Sequence, residues 1–292
     1  TFHQGDFAQS VEQAGRGLEF YEGPRRSNVQ TPDGQDLGVA CHTWAALALW
    51  FLGYPEQASD RMRTALDLAE IQGQRYTLAR VLSKAAIFHQ LRRETDLARD
   101  YARASLAYAT KLGFPYYMGT ANILLGWAQV LLGQGEEGFA RLHEGLAAYD
   151  RTMTEMDRPF FLGLMADAYG SSEQTQEALA LLEQALDSIP SGRSFFYEAE
   201  LYRLKGTLLL QAGPQQDREA AAASFEQALD IARRQQARSL ELRSILYLSQ
   251  PGLAAGEQTG QGLAETVGWF TEGFETPDLQ EASERLAALE AR

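Results

Sequence analysis

The sequence predicts an all-α fold, a right-handed superhelical solenoid of helix-turn-helix repeats with a period of about 40 residues. Three observations carry this. Small residues recur every 40 positions at Ala46, Ala86, Gly126, Ala166 and Gly206. A second small series runs Ala58, Ala98, Gly138 and Ala178, then slips by three to Ala221. Between the two series lies a turn each time: Gly53-Tyr54-Pro55, Arg92-Arg93-Glu94, Gly133-Gln134-Gly135, Ser171-Ser172-Glu173 and Gly213-Pro214-Gln215. A helix pair that cannot bury its apolar face alone does so by stacking on copies of itself.

Each element follows from the same logic. The first helix of a pair (A) places Ala or Gly where the second (B) must approach closely. Helix B carries its own small residue and larger apolar ones at helical spacing, as at Met62 and Ala65, Leu182 and Ala185, Phe225 and Ala228. Glu56, Glu136 and Glu177 follow the turns, where a carboxylate complements a helix N-terminus. A half repeat is expected over 1–20, an irregular Pro- and Gly-containing loop over 21–38, and five full repeats over 39–236 (39–73, 77–113, 118–154, 158–190 and 198–236). The loop stretches the first spacing to 48, from Ser10 to Ala58. A partial repeat begins at Ser239 and is interrupted from Pro251-Gly252 to Gly262. Two short capping helices follow over 263–292, split near Thr276-Pro277, with Thr276 as cap and Pro277 in the first turn. The whole of 1–292 reads as one array. Its start at Thr1, without Met, resembles the middle of a repeat.

Composition restricts the partners. With 39 acidic and 26 basic residues the formal charge is −13. That disfavours nucleic acid and anionic membrane, which need clustered Lys and Arg. No apolar run reaches the ~18 residues of a spanning helix. The single Cys41 lies in an apolar run (Val39-Ala40-Cys41), reads as a buried thiol, and fits a reducing cytoplasm. Catalytic chemistry is not expected. No phosphate loop is present, since Lys205-Gly206-Thr207 has the wrong order. His3, His42, His89 and His143 lack metal spacing, and no cofactor is predicted. Glu198 and Glu200, two apart on a helix, read as solvated, and Arg92-Arg93 as dipole compensation at a helix end.

The repeat pattern, small-x2-apolar, turn, Ala-x3-Phe/Leu-x2-Ala, resembles the tetratricopeptide repeat. The unit Tyr202, Gly206, Leu209, Ala221, Phe225, Ala228 carries it best, and Pro190 closes the preceding unit. Departures are Arg93 at a turn, Ser105 for the last Ala, and few opening Trp residues; the period is 40 rather than 34. A narrower resemblance rests on GQDLGVAC (34–41), ALALWFLGYPEQA (46–58), GWAQVLLGQGEEG (126–138), YEAELYRLKGTLLL (197–210), FEQALDIARRQQARSLELR (225–243) and GWFTEGFETPDLQEA (268–282). These segments look like the C-terminal helical region of bacterial regulators, namely class III adenylate/guanylate cyclases or transcription activators fused to a signal-transduction ATPase. Loops 21–33 and 251–262 depart from it. The resemblance implies a sensory or protein-interaction arm whose output domain lies upstream.

In a tetratricopeptide array helix A lines the concave groove. The corresponding columns give candidate binding residues Thr43, Leu47, Trp50, Ser83, Ile87, Gln90, Ile123, Trp127, Val130, Asp167 and Arg203. The columns are apolar in the first three repeats and polar or small in the last two. The expected occupant is a protein or peptide, including the upstream ATPase or output domain of the same polypeptide. Three alternatives stand beside it: a small-molecule effector inside the superhelix, a homo-oligomerising arm, and simple packing of Trp50, Ile87 and Trp127 between repeats or beneath 263–275.

Overall fold

Backbone φ is positive at Gly53, Arg93, Gly133, Glu173 and Gly213, one residue in every 40. These positions end the A helices at the turns read from the sequence. A second series, Gly73, Gly113 and Met153, ends B helices with the same period. Glycine adopts this conformation freely and other residues do so at a cost. The turn geometry therefore prevails over residue type at Arg93 and Glu173.

The computed structural model describes residues 1–22, 29–190, 192–213, 215–253 and 256–290. A 3-10 turn (Phe2–Gln4) precedes α1 (Phe7–Glu22). Five hairpins follow: α2 (Leu37–Leu52) with α3 (Pro55–Gln72), α4 (Arg75–Leu91) with α5 (Thr95–Leu112), α6 (Pro115–Leu131) with α7 (Gly135–Asp150), α8 (Arg158–Ser171) with α9 (Thr175–Asp187), and α10 (Glu198–Ala212) with α11 (Gln215–Arg234). The chain ends in α12 (Arg238–Leu248), α13 (Gly256–Trp269) and α14 (Pro277–Glu290). Among the described residues there is no strand, only an isolated bridge from Gln30 to Asp36. The fold is an all-α solenoid of tetratricopeptide-like hairpins.

Two expectations are corrected at element ends. Residues 256–262, expected to interrupt the last unit, are the first turns of α13. The expected loop 21–38 is shorter, because 21–22 continue α1 and 37–38 begin α2. Residues 23–28, and Pro214 of the fifth turn, lie outside the described residues.

The two helix types pack differently. Helix α5 buries a single stripe, Ala98, Ala102, Ser105 and Ala109. Helix α2 buries Ala45 to Phe51 without a break. A helices are thus covered from several sides and form an inner layer, with B helices outside. The small columns fall where the layers touch: Ala46, Ala58, Ala86, Ala98, Ala166, Ala178 and Ala221 are fully buried. The α6–α7 contact is closest, since a Cβ on Gly126 would lie 2.6 Å from the Gly138 carbonyl oxygen.

The inner layer does not enclose an open groove. Phe2 packs against Phe7, Trp44, Phe51 and Phe196. The Phe196 N–H donates to the His3 carbonyl at 3.1 Å. From the other end, Ser239 Oγ donates to the Trp50 carbonyl at 2.5 Å. Glu272 Oε1 accepts the N–H groups of Glu56 and Gln57 at 3.0 and 3.1 Å, and Gly273 N–H returns to Glu56 Oε1 at 2.9 Å. The last elements therefore fold back onto the first hairpin.

Candidate ligand cavity on the superhelix axis

What the chain leaves unfilled on its axis is a cavity of about 330 Å³. Its wall draws Gln90 from α4, Trp127 and Leu131 from α6, Asp167 from α8, Glu200 and Arg203 from α10, Arg243 and Tyr247 from α12, and Asp278 and Glu281 from α14. Tyr197 adds its ring just before α10. Arg93 and Glu281 form an exposed rim. On α6 and α8 the residue after the small column faces this cavity, so that positions 40 apart meet. Trp127 Nε1–H donates to Asp167 Oδ2 at 2.8 Å in this way.

The wall is held by charge. Arg243 is buried and donates through Nε to Asp278 Oδ2 at 2.8 Å and through Nη2 to the Leu91 carbonyl at 2.5 Å. That carbonyl ends α4, where a cation is favoured. Arg243 Nη1 also faces Glu200 Oε1 at 3.4 Å, and its guanidinium lies over the Trp50 ring at 5.0 Å. Glu200 pairs with Arg203 at 3.0 Å, and Arg203 lies over Tyr247 at 4.9 Å. Arg93 grips Glu281 with two bonds of 2.8 Å and reaches Asp278 at 3.2 Å. Three buried polar atoms on this wall have no hydrogen-bond partner within the chain: Gln90 Oε1, Glu200 Oε2 and Arg203 Nε.

The protonation states follow. Burial opposes ionisation of Glu200, but Arg203 and Arg243 outweigh it and hold its pKa below the usual carboxylate value. For Asp167 burial wins over the Trp127 bond and raises the pKa. Burial likewise raises the Tyr197 hydroxyl, which accepts a bond from Gln90 Nε2 at 3.2 Å.

Gln90, Trp127, Asp167 and Arg203 of the sequence-derived columns come together on this cavity. The others lie within the chain's own packing. Leu47, Ile87, Ile123 and Val130 are buried in the main core. Thr43 Oγ1 donates to Val39 of its own helix at 2.7 Å, and Ser83 is buried on α4. Trp50 meets α12, its ring beneath Arg243 and its carbonyl accepting from Ser239. Two sequence readings are corrected. Glu200 is buried and ion-paired, whereas Glu198 is half-exposed; spacing of two did send them different ways, but only one reaches solvent. Arg93 binds α14 across the axis, beyond any role at its own helix end. Arg243, Tyr247, Asp278 and Glu281 carried no sequence signal, because the charged partners they meet on this wall are 35 or more positions away.

Another buried carboxylate, Asp157, lies toward the aromatic end. It accepts from Tyr116 Oη at 2.7 Å and meets His3 Nε2 at 3.2 Å. Burial opposes its charge, but Lys84 and His3 prevail and depress its pKa. Among the described residues no His, Cys, Asp or Glu group has the makings of a metal site, and no helix is long and apolar enough to cross a membrane.

No family model matches the chain. The uncharacterized protein R02095 of Rhizobium meliloti is 22% identical over 256 residues, covering 87% of this chain and 25% of that protein. The chain thus spans about a quarter of the length of the curated relative it matches. Among solved structures, yeast Tom70 aligns with 98% of this chain and 59% of that one, at 12% identity and a TM-score of 0.54. The likeness is one of fold. BtubC from P. vanneervenii aligns over 80% of this chain and 90% of its own at 19% identity, with a TM-score of 0.47. Cut9–Hcn1 of the APC/C aligns over 99% and 53% at 12% identity, with a TM-score of 0.39.

Proposed function

We propose that this chain is a non-catalytic sensory and protein-interaction module of a larger bacterial signalling or transcription regulator, acting in the cytoplasm. The observation that carries this reading is the axial cavity walled by helices from four hairpins and by the two returning helices α12 and α14. An occupant there touches elements from almost the whole array at once. A solenoid otherwise couples only neighbours. The coverage of a quarter of the Rhizobium relative, and the segments that resemble cyclase–ATPase and activator regulators, support attachment to an upstream output domain. The charged groups of the wall are engaged with one another, which suits recognition rather than bond-making.

In this reading a peptide or side chain of the upstream ATPase, the output domain or a separate protein enters past the rim and displaces the Arg93–Glu281 pair. It engages Trp127, Asp167 and Arg203, and the adjustment of α14 is passed along the array. Capture from cell extract tests it, run beside Thr95→Trp, which enlarges a lining residue of the cavity at the start of α5 without removing an ion-paired group. A protein held by the native chain and lost by the variant, with unchanged circular dichroism, supports the module. Equal capture by both ends the assignment.

A second reading, a small-molecule effector sensor, is favoured by one observation. The chain fills most of its own groove and leaves a cavity of about 330 Å³, within the range of small-ligand sites.

A further inference from the structure

Helix α2 lies in a trough made by its own B helix, α3, and by the next A helix, α4. On α3 the trough is lined by Ala58, Arg61 and Met62. Ala58 and Met62 share the core with Ala46, and Arg61 Nη1 meets His42 Nδ1 at 3.5 Å. On α4 it is lined by Thr77, Val81 and Lys84. Thr77 Oγ1 accepts the N–H of Asp36, the N-cap of α2, at 3.5 Å. Val81 clusters with Val39, and Lys84 Nζ lies 5.0 Å from the centre of the Trp44 ring.

The same trough recurs one unit earlier, where no A helix fills it among the described residues. Helix α1 is a B helix, 48 positions before α3, and α2 is the A helix that follows it, 40 positions before α4. The six lining residues have their counterparts in Ser10, Gln13 and Ala14 on α1 and in Leu37, Cys41 and Trp44 on α2. All six line one cavity of about 350 Å³. The last turn of the matching A helix is present beside it. Phe2 stands where Trp50 does in the next unit, and Gly5, at φ 73°, stands where Gly53 does, at φ 90°.

We infer that this trough seats an amphipathic A-type helix that runs into Phe2 from the polypeptide preceding Thr1, so that the array continues upstream as stacked helices. The inference rests on the reading of the chain as part of a longer regulator. Helix α2 gives the chemistry of the occupant. A small residue stands four positions before Phe2, as Ala46 does before Trp50, and an apolar one eleven before it, as Val39 does. Units of a solenoid couple to their neighbours. A stacked helix therefore carries a change in the array to the upstream domain, which a flexible linker does not.

The only cysteine lies on the wall of the trough and reports its occupancy. Alkylation of Cys41 by N-ethylmaleimide, followed by intact mass, is compared in the 1–292 chain and in one extended by the roughly 20 residues encoded before Thr1, enough for a helix like α2. Alkylation roughly tenfold slower in the extended chain, and restored by a proline substituted four positions before Phe2, supports the inference. Equal rates in the two chains overturn it. So does protection that survives the proline, because the added segment then covers Cys41 in a form other than this helix. Charged residues encoded at both register positions overturn it as well. Partner capture by the 1–292 chain that Thr95→Trp abolishes does not depend on the trough, so this inference fails separately from the interaction module.

Discussion

Around Phe51 the axis of the superhelix is dry and aromatic; around Arg243 it is charged and holds a cavity. Phe7 stacks on Phe51 at 4.3 Å, and Phe2, Trp50 and Phe196 meet it edge-on. Rings interdigitate, so Phe7 and Phe51 are fully buried. Guanidinium and carboxylate groups need particular planes and distances to pair, so the other end keeps space between them. Trp50 marks the border, with Phe51 on one side and Arg243 on the other. The difference separates an end built for stability from one that suits the proposed recognition. Apolar filling stabilises without specifying a ligand. Buried ion pairs add little net stability over an apolar core of the same shape, so their retention here fits a binding role.

The sharpest break of this comparison is Arg243→Ala. It leaves Glu200 and Asp278 buried against less positive charge, and a loss of about 3–5 kcal/mol is expected in urea denaturation. Phe51→Ala at the dry end should cost a similar ~3–5 kcal/mol through its cavity. The pH response separates the two ends. Glu200 has a folded pKa below its unfolded value of 4.5. Its contribution is therefore present above that value and is lost as pH falls through the folded pKa. Glu200→Gln should flatten the acid limb of stability, while Phe51→Ala should shift the whole curve and keep its slope. Asp167 acts in the opposite sense, because its raised pKa makes protonation on acidification favourable to the fold.

A smaller effect is expected at the α6–α7 contact. Gly126→Ala places a Cβ 2.6 Å from the Gly138 carbonyl and 2.8 Å from the Leu142 nitrogen, so backbone must move. A loss of about 1–3 kcal/mol should appear in thermal unfolding. Ala at the equivalent position 86 or 166 is native, and there the helices stand far enough apart to hold it. This kind of feature is legible in sequence, because side-chain size and turn conformation act locally and repeat at 40. The site was legible only in part. Gln90, Trp127, Asp167 and Arg203 fall on the axial columns, whereas Glu200 and Arg93 find partners on α12 and α14 that periodicity does not place. The burial of Leu47 and Trp50 is of the same origin, since the segments covering the groove come from the two ends of the chain. Aspartate at 47 or 127 should therefore cost helicity as well as binding.

The clasp that joins those ends is weaker still. Helix α3 begins with Pro55 and has no side-chain cap of its own. Glu272, more than 200 positions away, accepts its first free N–H groups, and Glu56 accepts Gly273 N–H in return. It is a capping box completed from the far end of the chain. Glu272→Ala should cost about 1 kcal/mol, as for a lost N-cap. Hydrogen exchange at Glu56 and Gln57 should accelerate while α6 amides stay protected. Exchange that rises equally throughout would mean that the ends are held by the aromatic packing alone.

The smallest effect isolates the turn itself from both kinds of interior. Met153 is 89% exposed and sits at φ 57°, where Gly73 and Gly113 stand in the preceding units. Its side chain packs on little, so the left-handed backbone is the main term. Glycine there should remove a conformational cost of ~1 kcal/mol or somewhat more and add ~0.5–1 kcal/mol of unfolded-chain entropy. A net gain of a few tenths of a kcal/mol in urea midpoint is expected for Met153→Gly, and none for Met153→Ala, whose Cβ meets the same crowding. Equal behaviour of the two would show that the turn costs nothing at this position, and that the 40-residue phase is set by the small-residue columns rather than by the left-handed residues that end each helix.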